Sequence, residues 1–143
     1  MPNPETRAAG YRFTGAFLAV VSLLGLPPAL WTPDVDIGLG FTAFERAELC
    51  TSTVVGLAAA WALWTRRRAA PEFFLAWAMV VLTVSLHLSL GFVPRILFVI
   101  NDLLPGTGLP TTFPMSAVVA NLLLNTALLG LGYWQLTKQR PPA

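Results

Sequence analysis

Along the chain, long apolar runs alternate with short polar breaks. No charged side chain falls between Phe13 and Pro33, Leu49 and Thr65, Phe73 and Pro94, or Leu103 and Thr137. A helix needs about 20 apolar residues to cross the hydrocarbon core of a bilayer. The first three runs are long enough, or nearly so. The fourth is too long for one span, and the turn-rich LLPGTGLPTTFP (103–114) divides it, so the last helix is expected to start at Met115. The pattern predicts helices over about 12–31, 45–65, 72–93 and 115–136. That makes residues 1–143 a single all-α domain, an integral membrane bundle of four transmembrane helices with no room for a soluble domain.

Two stretches need a decision. Pro27 and Pro28 lack backbone donors, so LPPALWTP is expected to kink or end the first helix there. Beyond Pro94, RILFVINDLLP stays apolar apart from Arg95, Asn101 and Asp102. Either the third helix kinks at Pro94 and continues, or a short helix over about 95–104 lies at the membrane surface; residues 72–100 exceed one span, which favours the second. The alternation in TVSLHLSLG would also suit a strand, but an isolated strand in lipid leaves its backbone unpaired, so a helix is expected. In the first helix Gly15, Ala19 and Ser22 form a small-residue stripe that permits close helix contact.

Composition agrees. Only 11% of the residues are charged and 55% are hydrophobic, against roughly 25% charged in soluble domains. Lys and Arg are retained on the cytoplasmic side of membrane proteins. Arg7 and Arg12 precede helix one, Arg66 to Arg68 join helices two and three, and Lys138 and Arg140 follow helix four. Both termini are therefore expected to be cytoplasmic. Arg46 and Arg95 fall on the other side with Asp34, Asp36, Glu45, Glu48 and Asp102. The basic inner face points to anionic membrane lipids as partners and not to nucleic acid. Eight Arg against one Lys suggest a bacterial inner membrane. Helix one is read as a retained span, because LPPALW offers no small-x-small cleavage pattern.

The same counts narrow the chemistry. One cysteine, Cys50, excludes an internal disulfide and any CxxC redox scheme. One histidine, His87, excludes bis-histidine haem ligation within the chain. The DVD of residues 34–36 lacks the Gly and Glu that a calcium loop requires. No cofactor and no metal site is assigned.

Polar groups in hydrocarbon are costly, so their positions carry information. They gather in the outer half. Glu45 and Glu48 open helix two, His87 lies near the outer end of helix three, and Arg95 and Asp102 follow it. Asn121 and Asn125 share a stripe of helix four. Glu48, one turn inside the span, needs a partner, and His87 or Arg95 can supply it. A carboxylate and an imidazole in contact can trade a proton near neutrality, with Asp102 a third candidate acid–base group. Arg95 can hold an anionic oxygen, and Glu45, Asn121 and Asn125 can orient a ligand head. Structural roles compete: the Asn pair as interhelical bridges, Arg95 snorkelling to headgroups, Glu45 marking the water boundary, and Ser85 and Ser89 bonding to their own helix.

The hairpin AELCTSTVVGLAAAWALWTRRRAAPEFFLAWAMVVLTVSLHL (47–88) resembles that of DoxX-like four-helix membrane proteins. The matching positions are Glu48, Gly56 with Leu57, Arg66 to Arg68, and His87; CTST stands where that family has paired glycines. A weaker likeness is to the emopamil-binding class, whose intramembrane acids act on sterol-like molecules. The resemblances imply a four-helix fold and, for some DoxX-like members, association with quinone-linked complexes. The leading expectation is a small membrane protein that binds a quinone-, terpenoid- or sterol-like molecule in an outer-half pocket covered by the loop from Trp31 to Phe44. It would serve as an accessory subunit beside partner membrane subunits or as a homo-oligomer. A stand-alone intramembrane acid–base enzyme is the alternative. A proton-coupled transporter is disfavoured, since the polar groups make no path across.

Overall fold

The structure, a computed structural model, describes residues 4–30, 40–110 and 114–140. It contains helices α1 (Pro4–Leu23), α2 (Leu26–Leu30), α3 (Ala43–Trp64), α4 (Ala70–Leu90), α5 (Phe92–Leu103) and α6 (Met115–Lys138). No strand occurs among the described residues. Four stretches are long and apolar enough to cross a membrane: Ala8–Leu30, Ala43–Trp64, Ala70–Leu103 and Met115–Lys138. The protein is an all-helical, multi-pass membrane bundle of four spans. The short helix expected near 95–104 is present as α5.

The helix breaks differ from expectation in one consistent way. The first span breaks at Leu24–Gly25, and Pro27 and Pro28 sit in the first turn of α2, where a missing N–H costs nothing. The third span breaks at Gly91, and Pro94 lies inside the first turn of α5. A proline withholds its hydrogen bond from the carbonyl four residues earlier and crowds it. Pro27, Pro28 and Pro94 therefore act on Leu23, Leu24 and Leu90. The helix ends one turn ahead of the proline rather than at it. α1 also begins earlier than expected, at Pro4, and α6 continues to Lys138.

α3 and α4 are joined by a tight turn. Arg66 takes the left-handed conformation (φ 55°), Arg66 N–H donates to the Leu63 carbonyl and Arg67 N–H to that of Ala62. This is a Schellman closure with arginine where glycine is usual. α3 packs against α1 on one side and α4 on the other, and α4 carries α5 and α6. The core is built from Tyr11, Leu18, Ala59, Ala60, Ala62, Leu63, Ala70, Phe74, Trp77, Ala78 and Leu136. The alanines let backbones approach: a Cβ on Gly15 would stand 2.9 Å from the Ala60 carbonyl oxygen, and one on Gly56 would stand 2.9 Å from Ser22 Cβ. The small-residue stripe of α1 thus lies against α3, with Ser22 buried.

At the end of the bundle that carries Arg66 to Arg68, first and last spans are fastened together. The buried Tyr11 hydroxyl donates to the Leu136 carbonyl at 2.6 Å. Arg140 pairs with Glu72 of α4. α6 is otherwise sparsely covered, with only Val118 and Leu136 buried.

Candidate functional site

At the opposite end, the first turn of α3 and the last turns of α4 bring the polar residues together. Thr42 caps α3: its hydroxyl accepts from Glu45 N–H (3.2 Å), while Glu45 Oε2 accepts from Thr42 N–H (2.7 Å). This capping box fixes the start of α3 and aims Glu45 and Glu48 from the same face, three residues apart. Across the seam, His87 lies one turn before the end of α4. His87 Nδ1 lies 2.5 Å from Glu48 Oε2. The direct contact expected from the cost of an unpaired Glu48 is present. The Phe44 ring meets the imidazole edge-on at 5.1 Å. Gly91 leaves room beside it, since a Cβ there would stand 3.2 Å from the His87 carbonyl oxygen and 3.9 Å from Cδ2.

Glu45 has a different partner. Arg95 Nη2 donates to both of its oxygens, at 2.5 and 2.6 Å. The Thr42 hydroxyl adds a contact at 2.9 Å, and the side chain is almost wholly buried. Four contacts hold the carboxylate, three on Oε2 and one on Oε1. Arg95 also lies 5.7 Å over the Phe92 ring, and Phe92 stacks on Phe41 at 4.1 Å. Glu45 and Arg95 therefore tie α5 to the cap of α3. Arg95, expected to hold a ligand oxygen, has its Nη2 engaged by Glu45.

Glu48 stands in the wall of a groove, with its partner His87 outside the residues that line it. Phe44, Ala47, Glu48 and Thr51 of α3 and Met79, Val80, Thr83 and Val84 of α4 line a cleft of about 370 Å³ that opens on the outside of the bundle. From Val84 to Met79 the α4 wall runs about 7.5 Å, five residues of helical rise. Its lining is almost entirely apolar. Glu48 is the sole charged lining residue. On the other side of the seam a second cleft, about 320 Å³, is lined by Leu49, Ser52, Val81, Val84, Ser85, Leu88, Ser89 and Val93. It has no titratable group, and Ser89 donates to the Ser85 carbonyl within its own helix.

The remaining sequence candidates lie elsewhere. Asp102 is exposed near the end of α5, and no hydrogen bond joins it to Glu48, His87, Glu45 or Arg95. Asn125 donates to the Asn121 carbonyl (2.9 Å) and to its side-chain oxygen (2.6 Å). The two amides thus bond along α6 instead of bridging helices or joining the Glu48–His87 pair. The expected cover from Trp31 to Phe44 falls largely on residues 31–39, outside the described residues; Phe41 and Phe44, within them, flank Arg95 and His87. Among the described residues no three His, Cys, Asp or Glu side chains converge as metal ligands. Sequence reasoning overlooked Phe44, Thr42 and Met79. The first two had a signal: Thr42 to Glu45 matches the T-x-x-E capping box, which places Phe44 in the first turn.

Compared with family models, curated proteins and solved structures, the chain matches none.

Proposed function

We propose that the protein binds a lipophilic molecule with a polar head in the groove between α3 and α4, the tail along Met79, Val80 and Thr51 and the head at Glu48 and His87. The observation that carries this reading is the placement of Glu48, paired with His87, as the one charged side chain in the wall of a mainly apolar cleft that opens on the outside of the bundle. A mainly apolar cavity with a few convergent polar groups is the usual form of a small-molecule site. The 2.5 Å pair favours one further reading, an acid–base enzyme on the same molecule, since a carboxylate that orients an imidazole is a recurring catalytic arrangement.

Glu48→Gln and His87→Ala are expected to weaken retention of a lipophilic probe about 10- to 100-fold, the worth of a lost charge-assisted hydrogen bond, while the bundle stays folded. Retained probe measured against thermal unfolding in detergent separates the cases. Loss of folding with no separate binding defect would make the pair a structural bridge and overturn the reading.

The partners and setting belong to the same proposal: an accessory subunit of a membrane complex, related to DoxX-like proteins through the α3–α4 hairpin, in a bacterial inner membrane with both termini cytoplasmic. Native mass spectrometry from nanodiscs that found only isolated monomers would remove the complex. Orientation rests on seven basic residues on one side and two on the other. In a Cys50→Ser background, Arg67→Cys should resist an impermeant maleimide applied to intact cells; labelling there would reverse the topology.

A further inference from the structure

The hydrogen-bonding capacity left over at Glu48 and His87 specifies what kind of head the groove takes. The bridge uses His87 Nδ1 and Glu48 Oε2. Neither Glu48 Oε1 nor His87 Nε2 takes a hydrogen bond from a described residue, although the Glu48 side chain is only 14% exposed. The hydroxyl donors that line the groove are spent. Thr51 donates to the Ala47 carbonyl (2.7 Å) and Thr83 to that of Met79 (3.0 Å), both within their own helices. Arg95, with Nη2 on Glu45, is not among the residues that line the groove. The groove therefore carries a surplus of acceptors.

Proton placement does not change this. With one proton, held in the bridge, both Glu48 Oε1 and His87 Nε2 are acceptors. A second proton resides on Nε2, and Oε1 is still an acceptor. In either state a carbonyl or ether head, which only accepts, displaces water from Glu48 Oε1 and gives it no donor in return, the costly arrangement. A hydroxyl donates to Oε1 and, when Nε2 is protonated, accepts from it as well. An ammonium head donates but cannot accept. Resting on the groove reading above, we propose that the bound molecule is a lipophilic alcohol or phenol, selected over the ketone, aldehyde or ether of the same skeleton.

The test uses one isoprenoid skeleton with four heads: farnesol, its methyl ether, farnesal and farnesylamine, each bound to the purified full chain in nanodiscs. Farnesol should bind at least about ten-fold more tightly than the ether and the aldehyde, and no more weakly than the amine. In Glu48→Gln the side-chain amide supplies donors, so the preference for alcohol over aldehyde should fall to about two-fold or less. Equal affinity for farnesol and its ether, with binding of both lost in His87→Ala, would overturn the hydroxyl assignment and leave the groove reading standing. Tighter binding of the amine would overturn it too. Failure of all four to bind the unmodified protein would remove the groove reading and this inference together.

Discussion

Gly56→Ala should destabilise the bundle even though alanine is the better helix former. In an exposed helix the exchange gains about 1 kcal/mol. Here the new Cβ would stand 2.0 Å from Ser22 Oγ, 2.8 Å from Trp77 Nε1 and 2.9 Å from Ser22 Cβ. Rotation of the Ser22 hydroxyl relieves the first contact but not the other two. Overpacking of this kind costs about 1–3 kcal/mol, so a net loss of up to about 2 kcal/mol is expected. Gly130 is the control: nothing lies within 4 Å of a Cβ there, and Gly130→Ala should gain stability. Thermal unfolding of both variants in one detergent checks the opposite signs. If Gly56→Ala matched Gly130→Ala, α1 and α3 would not be packed as described.

Glu45→Ala should be the most damaging change among the acidic residues, with a loss of about 2–3 kcal/mol. The helix cap contributes about 1 kcal/mol of this, and the charge-assisted bond from Arg95 about 1–2 kcal/mol, at the lower end because the Arg95 side chain is 38% exposed. Arg95→Met should cost less, since Glu45 keeps the Thr42 N–H and hydroxyl. Amide exchange in α5 should accelerate in both variants, because the pair joins α5 to α3. Binding in the groove should survive, as Glu45 does not touch the Glu48–His87 pair through any hydrogen bond. Lost binding with unchanged stability would instead return Glu45 to the ligand site.

The spans were legible because bilayer thickness imposes a length that hydropathy reads directly. The Glu48–His87 contact was legible for a related reason: a carboxylate one turn inside a span must find a partner, and one of the few choices lay at the matching depth of the next helix. The rest depended on azimuth and on reach. Periodicity put Asn121 and Asn125 on one stripe but could not say that Asn125 would donate back to Asn121 within the helix. Arg95 was in range of both acids, and the capping box decided between them by fixing Glu45 where the Arg95 side chain reaches it. The proline breaks were misplaced by one turn because the missing bond belongs to the carbonyl four residues back.

The bond from Tyr11 to Leu136 has a consequence for the order of events in folding. It spans a separation of 125 residues, and in a free chain closing a loop of that length costs about 4 kcal/mol in the logarithmic scaling, more than one hydrogen bond returns. The fastening therefore cannot nucleate assembly. It forms after the α1–α3, α3–α4 and α4–α6 contacts have shortened the effective loop. During synthesis it waits for the last helix to emerge, with the Tyr11 hydroxyl unsatisfied until then.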